Sequence, residues 1–289
     1  MPSFATRVAA ETLRWLPRKR LSQGIGRVAS AAAGRGVLNR AIEAYTRAYD
    51  VDLQDAAVPP GGYQTFDEFF TRALVPGARP IAGGPETLVS PADGRVESCG
   101  PIESGSTFRV KGRSYSVDEL LGEPGARFDG GCFAIVYLSP RDYHRVHAPV
   151  AGPVHTVRHV GGTLLPVNSF GVAAYPNLFA RNERVVFFQG GAGGEVATVM
   201  VGAIGVGRIS VSFDPSVMTN VGRAPTTLRY PTATAHELER GDELGKFHLG
   251  STAIVLATPE VGASLLVRDD QVVRMGSGLA KRDESEGAP

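Results

Sequence analysis

Cysteine is nearly absent from this sequence. Cys99 and Cys132 are the only two, and neither has a second cysteine at CxxC spacing. That argues against a disulfide framework or a zinc–thiolate site, and for a reducing compartment. Long apolar runs are missing too. The longest, "VATVMVGAIGVG", falls short of the ~18–20 residues that span a bilayer, and its glycines suit a buried strand pair better. The N-terminus lacks the order of a signal peptide, a charged start followed by an apolar stretch. If such a protein meets a membrane, it lies on the cytoplasmic face. An excess of one charge is also lacking. Thirty basic residues stand against 29 acidic ones, so nothing global marks a nucleic-acid binder.

The charge that is present is unevenly placed. Residues 1–48 hold nine basic side chains and two acidic ones, a net +7 that leaves −6 for the rest of a +1 chain. Phe4, Leu13, Trp15, Leu16 and Leu21 are interspersed among them. Such a segment suits an anionic membrane surface, and equally a solvated helical arm.

The first seventy-odd residues read as helical. Leu38, Ala41, Ile42, Tyr45 and Tyr49 share one helix face. In "TFDEFFTRAL", Thr65 or Asp67 can cap a short helix carrying Phe69, Phe70 and Leu74, which "VPGARP" stops. From about residue 85, runs such as "CFAIVYL", "RVVFF" and "STAIVLAT" alternate with Gly, Pro and Asp turns. This predicts an α+β protein, with N-terminal helices followed by a largely antiparallel β-rich core. The expected organisation is a basic helical segment over 1–80, a β-rich domain over 81–280 and a polar tail over 281–289. One faint echo, P-x-x-G-x-V, recurs at "PADGRV" (91–96) and "PVAGPV" (149–154), suggesting two strand–turn units of one kind.

Three places can carry chemistry. His144 and His147 lie three apart in "SPRDYHRVHAPV". They are either a structural pair or part of a site; as metal ligands they supply two where zinc takes three or four. Asp93 in "SPADGRV" is either a hairpin-turn residue or the orienting partner of a histidine. Ser251 in "GKFHLGSTAIVL" is not in a G-x-S-x-G elbow. It is either a turn residue opening a strand or a nucleophile beside the open carbonyl of Gly250. A hydroxyl there can convert the peptide bond to an ester, given a base, oxyanion donors and local strain.

Taken together, "LGST" after "ERGDELGKF", "SPADGRV", "YLSPRDYHRVHAPV" and "YPNLFARNERVV" resemble the phosphatidylserine decarboxylase family. "YQTFDEFFTRALVPGARPI" resembles its N-terminal region, and the likeness runs from about residue 35 to about 280. The resemblance implies that Ser251 attacks the Gly250 carbonyl and that elimination cuts the chain into a β chain, 1–250, and an α chain of 39 residues. Residue 251 would become a covalent pyruvoyl cofactor, which condenses with the amine of phosphatidylserine as a Schiff base. By the same analogy Asp93, His147 and Ser251 form a triad with His147 as base, and His144 serves the proton delivery that follows CO2 loss. The expected partners are phosphatidylserine and an anionic membrane surface, with processed chains that stay together as a homodimer of αβ units. No metal and no nucleic acid are expected. Two other readings remain: the same chemistry on a soluble amino acid or another lipid, and a non-catalytic β-rich module.

Overall fold

The computed structural model describes residues 18–282, apart from 192, 206, 207, 222, 223 and 263. Phe4, Leu13, Trp15, Leu16 and tail residues 283–289 lie outside the described residues.

Three helices open the described chain: α1 (Arg18–Ser30), α2 (Arg35–Tyr49) and α3 (Phe66–Phe70). The expected face of α2 turns inward at Leu38, and the helix ends at Asp50 in a left-handed cap. In α3 the cap is Thr65, whose hydroxyl accepts from the Glu68 amide at 3.0 Å. Asp67 and Glu68 complement the positive end of the same first turn. The helical reading of the first seventy-odd residues needs correction over 50–65, which form no helix. Pro59, Pro60 and the positive-φ pair Gly61–Gly62 prevent one there. Leu74, expected on α3, instead lies in a two-residue strand, Ala73–Leu74, against Ala56–Ala57.

The body is built from nine principal strands: β1 (Gly94–Pro101), β2 (Cys132–Leu138), β3 (Arg145–His147), β4 (Gly152–Val160), β5 (Arg184–Gly191), β6 (Gly194–Val201), β7 (Arg208–Val211), β8 (Glu243–His248) and β9 (Ser251–Ala257). The large sheet runs β4-β5-β6-β9-β2-β1, with short strands added at its ends. Every neighbouring pair in it is antiparallel. A smaller sheet, β7-β8-β3, is also antiparallel. The run "VATVMVGAIGVG" is therefore not a strand pair. Its first half belongs to β6 of the large sheet, and the chain then leaves for β7 of the small one.

All seven residues of β9 are buried. Ile254 and Leu256 pack with Phe108, Tyr115 and Phe133. On the other face Ala253 joins Val146, Phe187 and Phe247. Burial on both faces is why this strand reads as an unbroken apolar run rather than an alternating one. At about 1.5–3 kcal/mol per buried side chain, Ile254, Val255 and Leu256 alone contribute roughly 5 kcal/mol to holding it in place.

Each echoing segment is bonded to the residues that lead into the other. The Pro91 carbonyl accepts from the His147 amide at 2.8 Å, and the Pro149 carbonyl accepts from the Val89 amide at 3.0 Å. Gly94 and Gly152 each open a strand where a Cβ would lie 2.4 Å from the Tyr137 carbonyl and 2.0 Å from the Gly190 carbonyl. Only glycine allows that approach.

Candidate active site

Ser251 is the first residue of β9 and pairs with Leu138 of β2. The chain enters it through two left-handed residues, Leu249 at φ 86° and Gly250 at φ 49°. Left-handed backbone suits glycine but strains leucine. The Ser251 Oγ is buried and has no hydrogen-bond partner among the described residues. It borders a cavity of about 320 Å³ shared with Tyr45, Phe70, Tyr137, Asn168 and Leu249. A buried hydroxyl left unpaired is costly, by about 1–3 kcal/mol, so its position calls for an explanation.

Both histidines are buried and held in a defined tautomer. His144 donates from Nδ1 to the Asp142 carbonyl at 2.7 Å. Its Nε2 is a buried lone pair with no partner among the described residues. Its ring packs 4.1 Å from that of Phe70, which also borders the Ser251 cavity. Burial, aided by the Arg72 charge, pushes its pKa down to about 3. His147 donates from Nδ1 to the Gly241 carbonyl at 2.7 Å and accepts at Nε2 from the Tyr143 hydroxyl at 3.0 Å. Burial lowers its pKa as well. Burial thus favours the neutral form of both rings.

Asp93 comes near His147 through the Pro91 bond, but its carboxylate is directed elsewhere. It accepts from Arg79 through Nε at 3.0 and 3.1 Å and through Nη2 at 2.7 Å. The Met275 amide adds a bond at 2.8 Å. Arg79 also reaches Asp55 at 2.8 Å. The structure therefore brings Asp93 and His147 into one neighbourhood without a hydrogen bond between them among the described residues. Asp93 and Tyr143 border a second, charged cavity of about 270 Å³.

The sequence does not mark Tyr143, Phe70 or Arg79 as site residues. Tyr143 and Phe70 sit inside "DYHRVH" and "DEFFTRAL", and the available signal is that Tyr143 adjoins His144. Nothing local to Arg79 points to Asp93, 14 residues on.

A model of the family described as phosphatidylserine decarboxylase matches residues 66–281. A phosphatidylserine decarboxylase proenzyme of Shewanella frigidimarina (strain NCIMB 400) is 40% identical over 274 residues, covering 92% of this chain and 95% of that protein. The proenzyme of Shewanella loihica (strain ATCC BAA-1088 / PV-4) is 39% identical over 276 residues, covering 93% and 96%. The β-rich core, its buried serine after a left-handed glycine and its two buried histidines therefore belong to a decarboxylase, an enzyme of the lyase class. The chain belongs to the phosphatidylserine decarboxylase family.

Proposed function

We propose that the chain is made as a proenzyme, cuts itself between Gly250 and Ser251, and then converts phosphatidylserine to phosphatidylethanolamine and CO2 using a pyruvoyl group formed from residue 251. The observation that carries this reading is the buried Ser251 Oγ, unpartnered among the described residues, directly after the strained Leu249 and the left-handed Gly250. In the first step the Oγ–carbon bond forms and the amide C–N bond breaks, with the hydroxyl proton ending on the freed amine. Elimination then removes the Ser251 Cα proton and leaves a carboxylate on Gly250. Water replaces the nitrogen of the resulting dehydroalanine and ammonia departs.

In this reading His147 is the base for the hydroxyl. Its Nε2 lone pair already accepts from a hydroxyl, that of Tyr143, so accepting from Ser251 exchanges one O–H donor for another. Asp93, fixed by Arg79 and the Met275 amide, supplies negative charge that favours the protonated ring. Position 251 fits a small keto group, with a cavity beside it and a buried oxygen that no described residue binds. A pyruvoyl group supplies a carbonyl conjugated to an amide, which draws off the electrons left behind when CO2 departs. In this reading His144, whose ring packs on Phe70 beside the Ser251 cavity, relays the proton that carbon then takes up.

The reading extends to a lipid surface. No helix among the described residues is long and apolar enough to cross a membrane. Between α1 and α2 lies an apolar groove of about 740 Å³, bordered by Leu21, Ile25, Val28 and Val37. Arg20 stands at its edge, and Tyr45 and Leu249 border both this groove and the Ser251 cavity. An amphipathic layer of this kind rests at the headgroup boundary of an anionic bilayer, here on the cytoplasmic face, with acyl chains in the groove. That continuity favours a lipid over a free amino acid. The two processed chains stay together because β9, the start of the smaller one, lies between β2 and β6. Pairing of two such units completes the proposal and is read by sedimentation.

The test is an intact-mass spectrum of the denatured protein, followed by assay on vesicles. The expected result is two species split between residues 250 and 251, the smaller with a pyruvoyl N-terminus, and CO2 release from phosphatidylserine vesicles but not from free serine. A single uncut chain would overturn the reading.

A further inference from the structure

The helical layer and the bond after Gly250 are joined through one side chain, three residues before Ser251. His248, the last residue of β8, donates from Nδ1 to both carboxylate oxygens of Asp67, at 2.8 and 2.9 Å. Its Nε2 accepts from the Ser210 hydroxyl at 3.0 Å. Asp67 lies in the first turn of α3. It also accepts from Arg208 at 3.1 Å and from Ser30, the last residue of α1, at 3.5 Å. Arg208 sits directly opposite His248 in the small sheet. Burial works to raise the Asp67 pKa, but the bonds from His248 and Arg208 and the Arg208 charge outweigh it and hold the carboxyl below its ordinary value. One carboxylate therefore ties α1, α3, β7 and β8 together.

Beyond His248 the backbone turns into the left-handed pair Leu249 and Gly250. A leucine keeps such a conformation only where the chain on both sides is fixed. On the far side Ser251 is locked into β9 between two strands. On the near side β8 ends, and the last anchored side chain is His248.

We propose that the Asp67–His248 pair is a positioning clamp for self-processing. It fixes the near end of the strained turn, so the Gly250 carbonyl stays presented to the Ser251 hydroxyl and the strain is released through cleavage rather than by slippage of the chain. Because Asp67 belongs to α3 and is bonded to α1, the cut becomes conditional on a seated helical layer. Neither residue touches a reacting atom, so both act through the backbone of 249–250. The inference rests on the self-cleavage reading above. After the cut the same bonds retain the new chain end, residues 248–250.

The test follows the full-length chain from synthesis, using wild type, Asp67→Asn, His248→Gln and Ser210→Ala. Intact mass gives the half-time for conversion to the 1–250 and 251–289 pieces. Brief hydroxylamine treatment, which cuts esters but not amides, gives the amount of ester formed. Asp67→Asn and His248→Gln should each slow ester formation about tenfold, while the later conversion of ester to pyruvoyl keeps its wild-type rate. A merely structural weakening would slow both stages. Together the two substitutions should be no slower than Asp67→Asn alone, since His248→Gln removes a contact that Asp67→Asn has already broken. Ser210→Ala, on a half-exposed strand position, keeps the fold while loosening the outer bond, and should slow ester formation about twofold. Wild-type ester formation in all three variants, or equal slowing of both stages, overturns the clamp and leaves the self-cleavage reading standing. A wild-type chain that stays whole overturns both.

Discussion

The hydroxyl of Tyr143 occupies the one ring nitrogen of His147 that could accept a proton, at 3.0 Å, while the corresponding nitrogen of His144 is buried with no partner among the described residues. In the uncut chain the two histidines thus differ in readiness although burial favours the neutral form of both. The Tyr143 and His147 rings also stack, with centroids 5.5 Å apart. The contact orients the imidazole as well as filling it.

Tyr143→Phe keeps the stacked ring and removes the competing donor. A net hydrogen bond is worth about 1 kcal/mol, so freeing the His147 lone pair should speed ester formation at Ser251 by about fivefold. Timed mass spectra of newly made chain measure it. Slower ester formation would mean that orientation by the hydroxyl outweighs its competition. His147→Ala should abolish processing. His144→Ala should process at least in part and yield a cut enzyme of poor turnover.

Ser251→Ala should give one full-length chain with no decarboxylase activity. The same fold should remain, because a buried unpaired hydroxyl contributes nothing to stability. Ser251→Cys should cut slowly, since a thiol can make the same acyl shift. Intact mass and CO2 release from phosphatidylserine vesicles read both variants.

Arg79→Ala removes the cation that holds the buried Asp93 carboxylate through two of its nitrogens. Breaking a buried pair from one side costs about 3 kcal/mol or more. At roughly 2–4 °C per kcal/mol for a chain of this size, the melting temperature should fall by roughly 10 °C. Thermal unfolding of the Ser251→Ala background, where no cut complicates the curve, measures it.

His144 gives the fold an acid sensitivity of known sign. Its folded pKa, about 3, lies below the ordinary histidine value, so the unfolded chain binds the extra proton first. Stability supplied by the neutral ring is complete above about pH 6.5 and is lost as pH falls toward 3, at about 1.4 kcal/mol per pH unit. Urea midpoints of Ser251→Ala should therefore fall between pH 6.5 and 4.5. Adding His144→Gln should flatten that decline by roughly 3 kcal/mol over the interval.

What could be read from the sequence was local in origin. The Leu38 face of α2, the Thr65 cap and the fully buried strand after Ser251 each follow from spacing within a dozen residues. Ser251 and Gly250 stood out as a dipeptide, and the flanking motifs supplied its meaning. The bonds that complete the site are long-range. His147 finds the Gly241 carbonyl 94 residues away, and Asp93 finds the Met275 amide 182 residues away. Two departures from the sequence pattern share one cause, since glycine and proline redirect the chain where apolar content alone predicts continuity. This happened at 59–62, where helix was expected, and after Val201, where a partner strand was expected. The small sheet joins 145–147, 208–211 and 243–248, a juxtaposition that periodicity cannot reveal.

The middle position of β9 in its sheet has a consequence for the life of the mature enzyme. In the uncut chain a short link delivers this strand to its slot between β2 and β6, so insertion is intramolecular and its closure entropy is modest. Once the link is cut, a fragment of 39 residues would have to find that slot from solution, against the dilution the tether had removed. The cut form should therefore be a state that its pieces cannot readily regain. Its durability is a matter of unfolding rate rather than of equilibrium, and each molecule carries forward an arrangement that only its own precursor could assemble.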